Sequence, residues 1–237
     1  MDFPCSKKEF SKIEKKVVAE YLRIREEQAK KHHDSVSQDI GKRIEVTGGK
    51  QLNILKKLFA DIAEGAGFNR TEIFSEEELA IPGIFRPQKK WDFSIVRNGK
   101  LVAVIELKSQ GSSFGNNFNN RIEESLGVAY DFNLAWKKKV FPYEHIPWTG
   151  YFMLLEKEEK ILSPVNLIES PLAVRKEFMA ASYIRRYEIF LEHLMKYKVY
   201  SKAGMLVTTR TGIIDPVNDR ISFYSFCKNL FDYLEEY

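Results

Sequence analysis

Cysteine is nearly missing from this chain. Cys5 and Cys227 stand at opposite ends of 237 residues with no CxxC spacing. That excludes a disulfide framework and a thiolate zinc site, and points to a reducing, cytoplasmic setting. No run approaches eighteen consecutive apolar residues, so no membrane span is predicted. The opening MDFPCSKKEF lacks a charged segment leading into an apolar one, and no secretory signal is expected. An excess of one charge is lacking too: 37 basic against 33 acidic side chains give +4, too mild alone to imply a nucleic-acid partner. His32, His33, His145 and His193 show no ligand spacing and read as satisfied surface or core residues. What is present is a content of 44% hydrophobic and 13% aromatic residues, enough to bury a sizeable core.

The chain reads as one domain, residues 1–237, mostly helical over 1–66 and an α/β core over 68–237. Phe10, Ile13, Val17, Tyr21 and Ile24 recur at three- and four-residue steps, an amphipathic helix. Leu52, Leu55, Leu58, Phe59 and Ile62 repeat the pattern up to Gly65. Residues 68–88 read as irregular, broken by Pro82-Gly83 and Pro87. WDFSIVR and LVAVIELK then read as two strands joined through Asn98-Gly99, a hairpin signal. The glycine- and asparagine-rich GSSFGNNFNN reads as a connector leading into a helix from about Asn119 to Lys139. Strands follow over 149–156 and 203–209, and helices over 183–198 and 222–236. This order predicts a mixed sheet flanked by helices.

One feature is out of place. Glu106 and Lys108 end the apolar run Leu101 to Ile105, and residues two apart on a strand share a face. Glu14/Lys16 and Glu158/Lys160 have the same spacing in charged surroundings, so spacing alone means nothing. Only Glu106 and Lys108 incur a desolvation cost, which pairing or a metal must offset. A structural ion pair is the plainer alternative. Asp92 lies on the partner strand. A two-residue Asn98-Gly99 turn with straight pairing sets Asp92 opposite Ile105, facing away from Glu106. A bulged turn, with Gly99 left-handed, sets Asp92 diagonal to Glu106 on one face. The bulged turn, or an equivalent distortion near Asp92, is the expectation. Asp92 and Glu106 with the Leu107 carbonyl would then suit Mg²⁺, which takes one or two carboxylates plus waters and phosphate oxygens. Lys108 beside them can orient a water and neutralise charge on a phosphate.

Asp92 followed by Glu106-Leu107-Lys108 on a hairpin resembles the PD-(D/E)XK nuclease signature, with Trp91 in place of the usual proline. The flanking segments VTGGK (46–50), PGIFRPQKKWD (82–92), ELKSQ (106–110), SFGNNFNNRIEES (113–125) and ASYIRRY (181–187) resemble, in that order, the XhoI-type restriction endonucleases. The similarity runs from about residue 40 to the C-terminus. The resemblance implies a PD-(D/E)XK nuclease-like α/β fold and a Type II, Mg²⁺-dependent, homodimeric enzyme cutting double-stranded DNA. It implies the palindrome CTCGAG or a related hexamer, cut to leave 5′ overhangs. It makes Asp92 and Glu106 metal ligands and Lys108 the catalytic lysine. A methyltransferase would be a functional companion without a stable complex. A repair or junction-resolving nuclease of the same fold, or an inactive DNA-binding module, is the alternative.

DNA contacts are expected around these residues. Lys50, with the glycines of VTGGK, suits a phosphate, though a glycine turn starting a helix is the plainer reading and GxxxxGK[ST] spacing is absent. Asn116, Asn117, Asn119 and Asn120 beside Arg121 suit adenine and guanine edges, against a capped helix start. Arg86, Lys89 and Lys90 precede Asp92 and suit phosphates. Gln110 shares the strand face of Lys108. Glu123 and Glu124 are charges favourable to a helix start, or orient Lys108 or Arg121.

Overall fold

The computed structural model describes residues 3, 6–36, 49–75, 79–111 and 114–237, leaving aside the side chains of residues 31–36, Asn116 and Lys160. Residues 46–48 of VTGGK therefore lie outside the described residues, as do Ser112 and Ser113. Helix α1 (Lys7–Val36) comes first, then a single 3₁₀ turn (Lys50–Leu52) and α2 (Asn53–Gly65). Short strands β1 (Ile73–Phe74), β2 (Ala80–Pro82) and β3 (Gln88–Lys90) occupy the stretch expected to be irregular. They are too brief for periodicity to register. β4 (Phe93–Arg97), β5 (Lys100–Gln110), α3 (Phe114–Lys137), β6 (Trp148–Lys157), α4 (Tyr183–Lys196), β7 (Lys202–Thr209), β8 (Ile214–Asp215) and α5 (Phe223–Glu236) follow.

Six strands form one mixed sheet in the order β1-β4-β5-β6-β7-β8, and β2 pairs with β3 apart from it. β5, β6 and β7 run parallel; the pairs outside them are antiparallel. Parallel neighbours need long crossovers, and α3 and α4 supply them. Side-chain alternation divides the core. Val104, Tyr151, Met153, Leu155, Met205 and Val207 pack with α3 and α4. Ala103, Ile105, Leu107, Phe152, Leu154 and Leu206 pack with α1, α2 and α5. Helices cover both faces, which is why β5 is apolar without a break from Leu101 to Ile105. Glu106 and Lys108 share the parity of Val104, so they project toward α3.

Helix α3 begins at Phe114, about a turn and a half before the expected start near Asn119. Glycine, serine and asparagine suggest a loop, but Phe114 and Phe118 are one turn apart and both buried. Their rings approach Tyr187 of α4 at 6.5 and 5.1 Å. Tertiary packing here overrides the local preference for a turn.

The hairpin corrects the expected turn. Arg97 pairs directly with Lys100, leaving Asn98 and Gly99 as a two-residue turn with φ of 52° and 72°. Both angles are positive, as a type I′ turn requires. The distortion lies farther along the strands. Val96 pairs with Leu101 but Ile95 with Ala103, so Val102 is an extra residue in β5. This bulge shifts the register by one, opposite in sense to the expected shift. Phe93 then pairs with Ile105, and the next position outward sets Asp92 against Glu106. Tyr143 and Tyr233 serve the bulge from outside the sheet. The Leu101 amide donates to Tyr143 Oη at 2.8 Å, and Tyr233 Oη donates to the Val102 carbonyl at 3.3 Å. Replacing Tyr233 by Phe is expected to destabilise the protein by about 1 kcal/mol, read as a lower urea midpoint at unchanged slope. An unchanged midpoint would mean that the bulge needs no clasp.

Candidate active site

A cleft of about 360 Å³ opens beside the end of β5. Asp92, Leu107, Lys108, Gln110, Asn117 and Arg121 line it together with Arg25, Gly49 and Gln51. A larger cavity of about 780 Å³, bordered by Glu177, Arg185, His193 and Lys202, contains none of the three expected catalytic residues. Chemistry, not size, selects the smaller cleft.

Asp92 sits just before β4 begins. Its carboxylate Oδ2 accepts the Leu107 amide at 2.8 Å, where the β4 backbone no longer continues the ladder. Beside it, Glu106 is only 4% exposed. Glu106 Oε1 lies 2.8 Å from Lys108 Nζ, and Oε2 lies 2.9 Å from Lys89 Nζ. The Lys89 contact is an ion pair outside good hydrogen-bond geometry, and Oε2 is buried without an aligned donor among the described residues. Glu124 of α3 stands 3.7 Å from Lys108 and accepts from Arg121 Nη1 at 2.8 Å. Because α3 begins at Phe114, Glu124 lies in its third turn and is not the helix-start charge expected first; it pairs with both cations instead.

Burial, then the neighbouring charge of Glu106, push the Asp92 carboxyl above its ordinary range, against the Leu107 amide and Lys108. Burial also opposes ionisation of Glu106, but Lys108 and Lys89 outweigh it and hold Glu106 below the ordinary range. Burial disfavours the Lys108 ammonium, yet Glu106, Asp92 and Glu124 more than compensate and raise it. Two carboxylates are thus driven apart, one reluctant to ionise and one held ionised.

The expected DNA-contacting residues divide. Asn117 and Arg121, one turn apart, face the cleft, whereas Asn119 and Asn120 are exposed elsewhere on α3. The side chain of Asn116 lies outside the described residues. Gln110 is buried in the cleft wall. Lys50 is exposed on the 3₁₀ turn beside the cleft, and Lys90 is exposed on β3. Lys89 is committed to Glu106 and lies over the Trp91 ring at 5.4 Å. Arg86 is held at 2.8 Å by Asp131 of α3, whose other oxygen accepts the Ile84 and Phe85 amides at 2.7 and 2.8 Å. Gly83 permits that approach, since a Cβ there would meet Asp131 Oδ2 at 2.5 Å. Phe85 remains 69% exposed at the loop tip.

Arg25 and Gln51 were not anticipated. Gln51 Nε2 donates to Ser109 Oγ at 3.1 Å, so both residues reach the cleft from the helical N-terminal part. No spacing rule links positions 25, 51 and 108.

Among the described residues no group of three or more His, Cys, Asp or Glu could hold a metal. Asp92 and Glu106 nevertheless fit an ion that needs only one or two carboxylates. A cation held by both would favour the ionised form of Asp92, which burial and the charge of Glu106 oppose.

These shifts carry opposite signs in stability. Asp92, with its raised pKa, contributes stability below its unfolded pKa that is lost as pH rises through the folded value. Glu106, with its lowered pKa, contributes stability above its unfolded pKa that is lost as pH falls through the folded value. In chelator at pH 7, Asp92→Asn is expected to melt above wild type, with the difference narrowing as pH falls through the carboxylate range. Glu106→Gln should melt lower, by an equivalent on the order of 3 kcal/mol, because two lysines lose their buried partner. Equal shifts of the same sign would contradict this electrostatic description.

Comparison with known proteins matches the family model described as "Restriction endonuclease XhoI" over residues 31–216. The chain is 38% identical over 203 residues to the Type II restriction enzyme BstVI of Geobacillus stearothermophilus, covering 81% of this chain and 90% of that protein. It is 36% identical over 158 residues to the Type II restriction enzyme XhoI of Xanthomonas vasicola, covering 65% of this chain and 64% of that one. Against the Type II restriction enzyme AbrI of Azospirillum brasilense it is 40% identical over 134 residues, covering 56% and 60%. No solved structure matches the chain significantly. With matched residues spanning the cleft-forming strands and α3, the chain belongs to the XhoI restriction endonuclease family, a family of site-specific deoxyribonucleases.

Proposed function

We propose that this protein is a Type II restriction endonuclease making Mg²⁺-dependent double-strand cuts in a short palindrome, CTCGAG or a related hexamer, and leaving 5′ overhangs. The observation that carries this reading is Asp92 accepting the Leu107 amide, beside a buried Glu106 paired with Lys108. The arrangement supports a PD-(D/E)XK type of nuclease core, with the whole chain as one endonuclease domain. A two-fold DNA site calls for a two-fold dimer. A companion methyltransferase would protect host DNA without a stable complex, in the cytoplasm.

Asp92, Glu106 and the Leu107 carbonyl are the residues that would hold Mg²⁺. When bound, the ion polarises a phosphoryl oxygen and makes hydroxide available at neutral pH. Lys108 is kept protonated by its acidic neighbours, which suits it to charge stabilisation rather than to the role of general base. Its ammonium holds the attacking water by a lone pair and offsets the negative charge growing on the phosphate. Glu124 keeps Lys108 and Arg121 aimed across the cleft. Asn117 and Arg121 would contact DNA nearest the cut, and Lys50, Arg86, Lys89, Lys90, Gln110, Asn116, Asn119 and Asn120 complete the proposed DNA-binding set.

Digestion of phage DNA with Mg²⁺ present is expected to give a fixed fragment pattern whose sequenced ends carry 5′ overhangs at one palindrome. Lys108→Ala should slow cleavage about 10²- to 10³-fold. Glu106→Gln should abolish cleavage and leave DNA binding intact, since a carboxylate beside phosphates does not attract them. Random fragments would favour a shape-dependent repair nuclease, and normal cutting by Glu106→Gln would remove the assignment.

A further inference from the structure

The N-terminal helix carries a residue into the cleft that nothing above assigns. The family match begins at residue 31, so Arg25 lies outside it. Tyr21, Arg25 and Gln28 stand at steps of four and three, on one face of α1. Tyr21 is fully buried. Gln28 Nε2 donates to Gln51 Oε1 at 3.3 Å, and Gln51 in turn donates to Ser109, the residue after Lys108. Arg25 is therefore held between two anchors that dock α1 against the end of β5.

Its guanidinium occupies space that a side chain at position 111 would take. A Cβ on Gly111 would lie 2.9 Å from Arg25 Nη2 and 3.2 Å from Cζ. Glu156 is its one anionic partner among the described residues, and the pair is loose at 3.5 Å. Glu156 does not depend on it, because Arg210 Nε holds the other oxygen at 2.8 Å. A guanidinium has five N–H donors in a planar fork matched to phosphate. Among the described residues the loose pair with Glu156 leaves most of these over; 37% of the Arg25 side chain is exposed, and it lines the same cleft as Asp92 and Lys108.

We propose that Arg25 is a phosphate-binding residue of the cleft, gripping the DNA backbone beside the bond to be cut and making α1 part of the nuclease centre. This rests on the nuclease reading above. An internal counter-ion for Glu156 is the competing role, and the two differ in what salt does. Each phosphate neutralised contributes about −0.9 to the slope of log affinity against log salt.

The test measures binding of a synthetic duplex carrying the mapped cleavage site, in chelator, across a salt series, alongside melting temperature and kcat/KM with Mg²⁺. Arg25→Gln is expected to weaken binding roughly tenfold and to flatten the slope by about 0.9. Glu156→Gln, which frees Arg25, should keep the wild-type slope and bind at least as tightly. A wild-type slope for Arg25→Gln, with a melting loss matching that of Glu156→Gln, would make Arg25 a structural counter-ion. Should Arg25→Gln not fold, Arg25→Lys decides: weaker binding at unchanged melting temperature supports the lost bidentate grip, and wild-type binding overturns it. A wild-type protein that cuts DNA while the Arg25 variants bind normally ends this inference alone; one that neither binds nor cuts DNA ends both.

Discussion

A single extra residue in β5 decides which way Asp92 faces. Strand side chains alternate with a period of two, so a slip of one position moves a residue from one face of a sheet to the other. With straight pairing from the Asn98-Gly99 turn, Asp92 would oppose Ile105 and face α2. The bulge at Val102 sets it against Glu106 on the α3 side. Bulges often lie beside active sites because they re-aim a side chain in this way. Here the bulge is three residues from the turn, where Tyr143 and Tyr233 satisfy the backbone groups of Leu101 and Val102.

From that register follows the electrostatic character of the cleft. Glu106 is flanked by Lys89 on one side and Lys108 on the other, so its charge is stabilised in a buried place. Asp92 has one amide and two more distant lysines, Lys108 and Lys56, which do not offset its burial and the charge of Glu106. The imbalance is what a divalent cation would correct. Buried ion pairs seldom add stability over a well-packed apolar core, and β5 is an unbroken apolar run from Leu101 up to Glu106. Their presence there is better explained by chemistry than by folding.

The larger elements were legible because periodicity records burial. The stripe Phe10, Val17, Tyr21 marks α1, and the run from Leu101 to Ile105 marks a strand covered on both faces. Glu106 and Lys108 stood out against that run and led to Asp92. Other features depend on partners far away in the chain. The start of α3 is fixed by Phe114 and Phe118 against Tyr187, which outweigh a loop-like composition. The bulge is bonded by tyrosines some forty and more than a hundred residues farther along. Arg25 and Gln51 reach the cleft only because two helices pack across the strand ends. Among the asparagines, helix geometry separates Asn117 from Asn119 and Asn120, and no composition rule could do so.

The carboxylate of Asp131 has a wider effect than its one ion pair suggests. By taking the amides of Ile84 and Phe85 and the guanidinium of Arg86, it welds the loop ahead of Asp92 to the helix that bears Asn117 and Arg121. Loop and helix are thereby tied together through one carboxylate. Under the proposed function, substitutions on this loop and on α3 would therefore not act independently of one another.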